Sequence, residues 1–451
     1  MNEGRSSLFR QIGSRVLLVS LVTVLLLLST ACGKSTEEVA GTSDFESTVA
    51  IEWMELLCEA VRTEGLSPPQ ASRIYAYAGV TLYESVVEGM PDYQSLSGQL
   101  NGLPDMPQME VGKTCDWPSS ASAALAIVTE GLFQQATPET IEAIRQLKEQ
   151  QLEARDTAGV PSDIVQYSIT YGESVGNIIL EWSSEDGYQD TRGLPYAPPS
   201  GPGTWEPTPP KFRQASEPYW GELRPFVLET ADSCEPSPPI EYSEDPASEF
   251  YHQAWLVYEA VNSLDEEQQT IALYWSDNPR DTCTPPGHWL SIENQIVKTR
   301  HMHLDEAAEM YALVGIAMGD AFISCWAAKY HWNVLRPVTY IQNHIDAEWE
   351  PSIATPPFPE YTSGHSVVSG AASTVLEYRL GTVAFTDRTH DGLGFRARSF
   401  SSLDEAAQEA AISRLYGGIH YPMAIEEGLH QGELVGREVV ERVITRPRTD
   451  D

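Results

Sequence analysis

Residues 305–337 read DEAAEMYALVGIAMGDAFISCWAAKYHWNVLRP, and this stretch decides the fold class. From Asp305 to Leu335 it is rich in Ala, Leu, Ile and Met, carries no turn cluster, and is the longest helix expected in the chain. Ala321, Phe322, Ile323, Trp326 and Ala327 precede Lys329, and Trp332, Val334 and Leu335 surround Arg336. Two cations are therefore expected to emerge from a buried element. Seven residues apart on one helix, they would share a face about two turns, ~10.5 Å, from each other, with Pro337 ending the helix.

Helical periodicity extends outward in both directions. Ile74, Ala78, Leu82 and Val86 recur every fourth residue after Pro68-Pro69, which predicts one apolar stripe behind a proline start. Thr137-Pro138 opens a charged helix to about Arg155, and Ser263 with Glu266 and Ser402 with Glu405 read as capping boxes. Alternating strand-like stretches are scarce, so the fold class is mainly α, packed as bundles. Between Gly187 and Pro239 the composition turns to Pro, Gly, Trp and Ser. Such a stretch is not helical, yet Trp205, Phe212, Tyr219 and Trp220 are too apolar for a free tether, so an ordered wrap over two helical halves is expected.

The chain has 451 residues, with 65 acidic residues against 28 Lys plus Arg and a formal charge of -37. That balance repels nucleic acid and anionic lipid, and makes any cluster of cations informative. Arg5, Arg10 and Arg15 precede an apolar run from Val16 to Leu28, and Ser29-Thr30-Ala31 leads to Cys32. The run is too short for a permanent span and reads as an export signal. Its ending resembles a bacterial lipoprotein signal, with Cys32 as the lipidated residue; Ser29 stands where such signals usually carry Leu, and an ordinary secretory peptide is the alternative. The expected organisation is a signal over residues 1–31, a polar tether over 32–45, an N-terminal helical half over 46–236 that includes the Pro/Trp-rich connection, and a C-terminal half over 237–451. The only membrane contact expected is through a lipid on Cys32, with the protein in the bacterial cell envelope. Of the remaining cysteines, Cys325 is expected buried and unpaired, and the simplest pairing by proximity is Cys58 with Cys115 and Cys234 with Cys283.

Three segments of the last quarter share one chemistry. Lys329 with Arg336-Pro337 supplies two cations. In Thr362-Ser363-Gly364-His365 a stiff Pro-rich approach ends at a helix N-terminus, where Ser363 offers a hydroxyl, Gly364 an open N–H and His365 a proton carrier. Ser413-Arg414 with His420 adds a third cation and a second imidazole, with Gly417-Gly418 as a helix stop. Alone, Lys329 with Arg336 reads more often as a solvated basic edge, Ser363 with His365 as a plain N-cap beside a first-turn surface residue, and Ser413 to His420 as a helix end. Together they suit a tetrahedral or trigonal-bipyramidal oxyanion, because each oxygen needs a charge-assisted donor and an apical position needs a nitrogen. Three cations at ~6 Å and an effective dielectric of ~20 repel by roughly 3 kcal/mol per pair, comparable in sum with a domain's net stability of about 5–15 kcal/mol. An anion or carboxylates must sit among them, and Glu360 is the one carboxylate within these segments. It reads as a rim residue. His301, His303 and His331 read as surface residues, since nothing nearby completes a ligand set.

This joint pattern, Lys then Arg-Pro seven later, Ser-Gly-His, and Ser-Arg with His six beyond the Arg, resembles the vanadium-dependent haloperoxidases and the related type 2 phosphatidic acid phosphatases. The specific motifs cover residues 326–420. The resemblance implies two packed helical bundles, with vanadate bonded to His420 and its oxygens held by Lys329, Arg336, Ser363, Gly364 and Arg414. His365 would be the acid–base group and Lys329 would polarise peroxide, while Trp326 and Phe358 stand where chloride-oxidising members line the halide pocket. The implied enzyme is a peroxidase, an oxidoreductase that uses hydrogen peroxide to convert bromide or chloride to a hypohalous acid equivalent for small organic acceptors. The superfamily usually carries Asp four residues after the second His, where this chain has Ala424; Glu426 or Glu427 is the expected substitute. A secreted acid phosphatase with His420 as nucleophile is the second reading, and an oxyanion-binding lipoprotein without activity is the third.

Overall fold

A side-chain cap or a proline in the first turn marks most of the helix starts. The computed structural model describes residues 41–447; the signal, Cys32 and most of the expected tether lie outside the described residues. The first half carries α1 Thr48–Glu64, α2 Pro68–Glu84, α3 Trp117–Leu132, α4 Pro138–Thr157, α5 Ser162–Ser184 and the single turn α6 Tyr188–Thr191. The second carries α7 Glu249–Asn262, α8 Glu266–Tyr274, α9 Thr284–Arg300, α10 Leu304–Trp332, α11 Pro337–His344, α12 Gly364–Leu380, α13 Leu403–Tyr416 and α14 Pro422–Arg442. Strand is confined, among the described residues, to β1 Phe385–Asp387 and β2 Arg398–Phe400, antiparallel with Phe385 opposite Phe400. The fold is mainly α, as expected.

Proline starts hold at α2 and α4, and Ser67 caps α2 in a reciprocal box with Gln70. Ser402 accepts the Glu405 N–H at 3.0 Å, but the Glu405 carboxylate accepts from Ser401 instead of the Ser402 N–H, so only half of that box forms. The box at Ser263 does not form: Ser263 ends α7, and Asp265 with Gln268 caps α8. Asp is as good a cap as Ser, and its offset lets the two intervening residues make the turn. α2 is buried nearly all round, from Pro69 to Glu84, rather than along one stripe. It lies against α10, and the two approach at glycines: a Cβ on Gly79 would stand 2.2 Å from the Tyr311 carbonyl oxygen. α12 and α14 meet in the same way, with Gly432 under the Val367 carbonyl. The main core takes residues from both sides of Pro236, and a smaller one gathers Phe250, Val338, Tyr340 and Tyr421 from α7, α11 and the start of α14. α10 is long and apolar enough to cross a membrane by composition, but 94% of that window is buried inside the fold.

α10 ends earlier than expected. Asn333 takes a left-handed conformation, φ 51°, and Arg336 is extended at ψ 150°, as a residue before proline prefers. Pro337 therefore begins α11 instead of ending α10, and Lys329 and Arg336 lie on two elements joined by a turn. The Pro/Trp-rich connection is ordered because it is strapped to α10. Asp320 accepts the N–H groups of Phe226, Val227 and Leu228 at 2.6, 2.8 and 3.0 Å. Tyr330 and Trp326 donate to the Ser216 carbonyl, and Trp205 N–H donates to Asn333. The tether ends sooner than composition suggests: Thr42 is buried and donates to Gly89, and Phe45 accepts from Leu304 N–H. Cysteine pairing differs as well. Cys58 is bonded to Cys283, while Cys115, Cys234 and Cys325 are buried free thiols. Proximity in sequence misleads because α1 and the start of α9, 225 residues apart, are neighbours in the fold.

Candidate functional site

Lys329, in the last turn of α10, is fully buried. Its ammonium donates to the carbonyls of Pro359 at 3.1 Å, Glu360 at 3.0 Å and Thr362. It thus clamps the 359–362 turn and brings its charge beside the site. Burial, reinforced by Arg336, brings its pKa down to about 8. Arg336 donates Nε to Phe358 O and Nη1 to Ile419 O, both at 2.8 Å, and Nη1 lies 3.2 Å from His420 Nε2. The Phe358 ring packs under both cations, 5.1 Å from the Lys329 nitrogen and 4.9 Å from the Arg336 guanidinium. Trp326 stands 5.0 Å from Phe358 and 5.3 Å from Phe322, so the three rings form one wall.

His420 lies in the turn between α13 and α14, where Gly418 at φ 74° reverses the chain. Its Nδ1 is bonded at 2.8 Å to Glu360 Oε1, which also accepts the Tyr421 N–H at 2.9 Å. Glu360 is fully buried, not a rim residue. It supplies the carboxylate whose usual place is taken by Ala424, itself buried, with its carbonyl accepting Ser363 N–H. Glu426 is exposed and Glu427 accepts from Ser237 N–H, so neither takes that part. Burial lifts Glu360 to about 7 against the pull of Arg336, the Tyr421 amide and Lys329. Burial and the nearby Arg336 and Lys329 hold the His420 imidazole neutral.

Ser363 is the N-cap of α12, its hydroxyl accepting from Ser366 N–H, so the free N–H groups of the first turn and the helix dipole face the pocket. Gly364 lies against Trp326, where an added Cβ would come to 3.5 Å from that ring. His365 opens partly to the cavity and bonds the Trp275 carbonyl through one ring nitrogen, while its buried Nε2 has no partner among the described residues. Burial, then Arg414, pushes its pKa well down. Arg414 donates to Trp275 O at 2.7 Å, Ala272 O at 3.2 Å and Ser413 Oγ at 2.9 Å. Burial lowers it to about 10 while Asp277 opposes.

Behind Arg414 and His365 is a buried cluster that sequence reading missed. His288 bridges Asp277 Oδ2 at 2.9 Å and Asp387 Oδ2 at 2.8 Å, and His390 bonds Asp277 Oδ1 at 3.1 Å. Tyr274 donates to Asp387, and the Trp275 ring stacks on His288. Burial opposes charge on His288, but the two carboxylates outweigh it and raise its pKa to about 10. Asp277, His288 and His390 bring ligand atoms within 4.8 Å of one another. Both ring nitrogens of His288, however, are already bonded to the Asp277 and Asp387 carboxylates. The cluster instead fixes Trp275, whose carbonyl serves both His365 and Arg414. No local signal announces it, since its members come from three separate stretches of chain, 274–277, 288 and 387–390. His301, His303 and His331 are exposed, as expected.

Phe322, Trp326, Phe358, Gly364, His365, Arg414 and His420 line one cavity of about 660 Å³. Arg336 Nη2 and His365 Nε2 are buried at this locus without partners among the described residues. An orphaned donor on a cation and an orphaned imidazole nitrogen, beside a helix N-terminus, fit a tetrahedral or trigonal-bipyramidal oxyanion that also carries a proton.

Fold and pocket together define a mainly helical protein built round a site suited to an oxyanion. The family model for the VCPO second helical-bundle domain matches residues 309–447. The vanadium chloroperoxidase of Curvularia inaequalis is 27% identical over 255 residues, covering 45% of this chain and 42% of that protein, so the match spans under half of that relative's length. The crystal structure of a bacterial vanadium-dependent iodoperoxidase superposes with a TM-score of 0.83 at 38% identity, covering 89% of this chain and 97% of the other. Holo and apo structures of a bacterial vanadium-dependent chloroperoxidase share the fold, with TM-scores of 0.63 and 0.62 at 15% and 14% identity. They cover 85% and 82% of this chain and 95% and 92% of theirs. The chain belongs to the vanadium-dependent haloperoxidase family.

Proposed function

We propose that this protein is a vanadate-dependent haloperoxidase that uses hydrogen peroxide to oxidise a halide to a hypohalous acid equivalent, which then halogenates organic acceptors. The observation that carries this reading is that His365, Arg414 and His420 line the inner part of one cavity with Lys329 and Arg336 buried beside His420, and that an Arg336 and a His365 nitrogen have no partner among the described residues. His420 would bond vanadate, and Lys329, Arg336, Ser363, Gly364 and Arg414 would hold it by charge and N–H or O–H donors. Bound there, vanadate supplies a Lewis acid that activates peroxide without a change of metal oxidation state.

The residues of the chain do the rest. Glu360 accepts the Nδ1–H of His420 and so fixes the tautomer whose Nε2 carries the lone pair, which Arg336 Nη1 faces at 3.2 Å and a ligand would take over. The Trp275 carbonyl does the same for His365, leaving Nε2 ready to take a proton from peroxide and return it to the leaving oxygen. The Phe322, Trp326 and Phe358 wall excludes water on the side where a halide would approach. The relative at 38% identity is named an iodoperoxidase, and iodide is the most easily oxidised of these halides, so iodide is the first substrate proposed, with bromide and chloride after it. The N-terminal signal supports an exported form anchored by a lipid on Cys32 in the bacterial cell envelope.

Vanadate-loaded protein given hydrogen peroxide and iodide, bromide or chloride in turn should form hypohalous acid equivalents with at least iodide. Hydrolysis of a phosphate monoester by the vanadate-free protein, without halide oxidation by the loaded one, would replace this reading with a phosphatase. Vanadate retained with neither activity would leave a binding protein.

A further inference from the structure

The cavity reaches the surface through residues that the proposed chemistry does not use. Its lining includes Lys211 and Arg213 from the Pro/Trp-rich connection and Arg280 from the loop before α9, all three exposed. Against these and the deeper Arg414 stands one lining carboxylate, Asp277, and it is buried and committed to His288 and His390. Elsewhere the balance is opposite, since acids outnumber Lys plus Arg 65 to 28 in this chain. No ion pair holds Lys211 or Arg213 among the described residues. Arg280 packs its stem over Gly65 and feels Glu64, whose carboxylate already accepts from Thr137 and Thr140. The connection is set rather than loose here: Phe212, between the two cations, has φ 43° and donates its N–H to Thr208.

We infer that Lys211, Arg213 and Arg280 form an anion-recruiting entrance that draws small inorganic anions, halide and vanadate, into the cavity of a protein that otherwise repels them. The halide part rests on the proposed function; the vanadate part needs only the oxyanion pocket. A body of charge -37 lowers the local concentration of any anion at its surface. A cationic mouth on a cleft with low-dielectric walls reverses that locally and focuses the field inward. Because the three side chains are exposed, the effect belongs to low ionic strength and fades once the Debye length drops below about 8–10 Å.

The test uses the full chain and its Lys211→Gln/Arg213→Gln/Arg280→Gln variant. Uptake of orthovanadate by vanadate-free protein is followed by tryptophan fluorescence, Trp326 lining the cavity. In dilute buffer the variant should take up vanadate about 3- to 10-fold more slowly, with the two rates converging in ~0.3 M salt. In the loaded enzymes kcat/KM for iodide should fall by a similar factor, and by clearly more than kcat/KM for the neutral co-substrate hydrogen peroxide. Equal uptake rates with the same salt dependence, or equal losses for iodide and peroxide, would overturn the entrance while leaving the pocket intact. A wild-type protein that takes up no vanadate at any salt would remove the pocket reading, and the entrance with it.

Discussion

Glu360 shows how one side chain can replace another from a different place in the chain. The carboxylate that orients His420 comes from the Pro-rich approach to α12 rather than from α14. Glu360→Gln keeps the shape and removes the charge, and should weaken vanadate binding by about 10- to 100-fold, read by titration of vanadate-free protein. Glu427→Gln should bind as wild type does, and the reverse ranking would contradict the assignment. The same scale yields a pH dependence. His288 is raised to about 10 from an unfolded value of ~6.5, so its contribution to stability is complete below pH ~6.5 and declines as pH rises toward 10. Asp277 and Asp387 are held low, so theirs is present above pH ~3.9 and is lost as pH falls below it. Thermal denaturation should therefore show the cluster's largest effect between about pH 4 and 6.5. Asp387→Asn should flatten the alkaline decline, and parallel profiles for variant and wild type would refute the bridge. The spacing of Lys329, Arg336, Ser363, Gly364, His365, Arg414 and His420 pointed to one locus, and the fold does bring them together, because side-chain type and order carry that much of the pattern. Glu360 was misplaced and His288 missed because burial and contacts across 60 to 99 residues leave no mark in a local window.

At the scale of elements, close packing of α2 on α10 depends on glycine where two backbones touch. Gly79→Ala would drive a methyl into the Tyr311 carbonyl, and neither backbone can give way without separating the two helices. A loss of about 1–3 kcal/mol or more is expected in denaturant unfolding, whereas Gly159→Ala, with open space around it, should suffer only from its positive φ. Equal losses would show that the α2–α10 contact is looser than described. Proline starts and the long apolar run made α2, α4 and α10 readable. The end of α10 was not, because its sequence stays apolar past Asn333, and what stops it is a left-handed turn held by the strap from Trp205. That break turns Arg336 toward His420 instead of leaving it along the flank of α10.

Across the whole molecule, the Cys58–Cys283 bond ties the first helix to the loop that carries Asp277 and Arg280. Closing so long a loop should contribute about 2–4 kcal/mol, so Cys58→Ser/Cys283→Ser should unfold at lower denaturant, while Cys325→Ser should leave the midpoint's disulfide component unchanged. A double variant as stable as the parent would remove the bond from the account. Composition made the acidic body plain and helical periodicity the mainly α class, but neither showed this pairing, which depends on tertiary neighbours. The most direct test of the central claim is the vanadium content per chain after orthovanadate loading and gel filtration, for wild type and His420→Ala. About one vanadium per wild-type chain and a content near zero in the variant is the expected result; equal retention by both, or none by either, would contradict it.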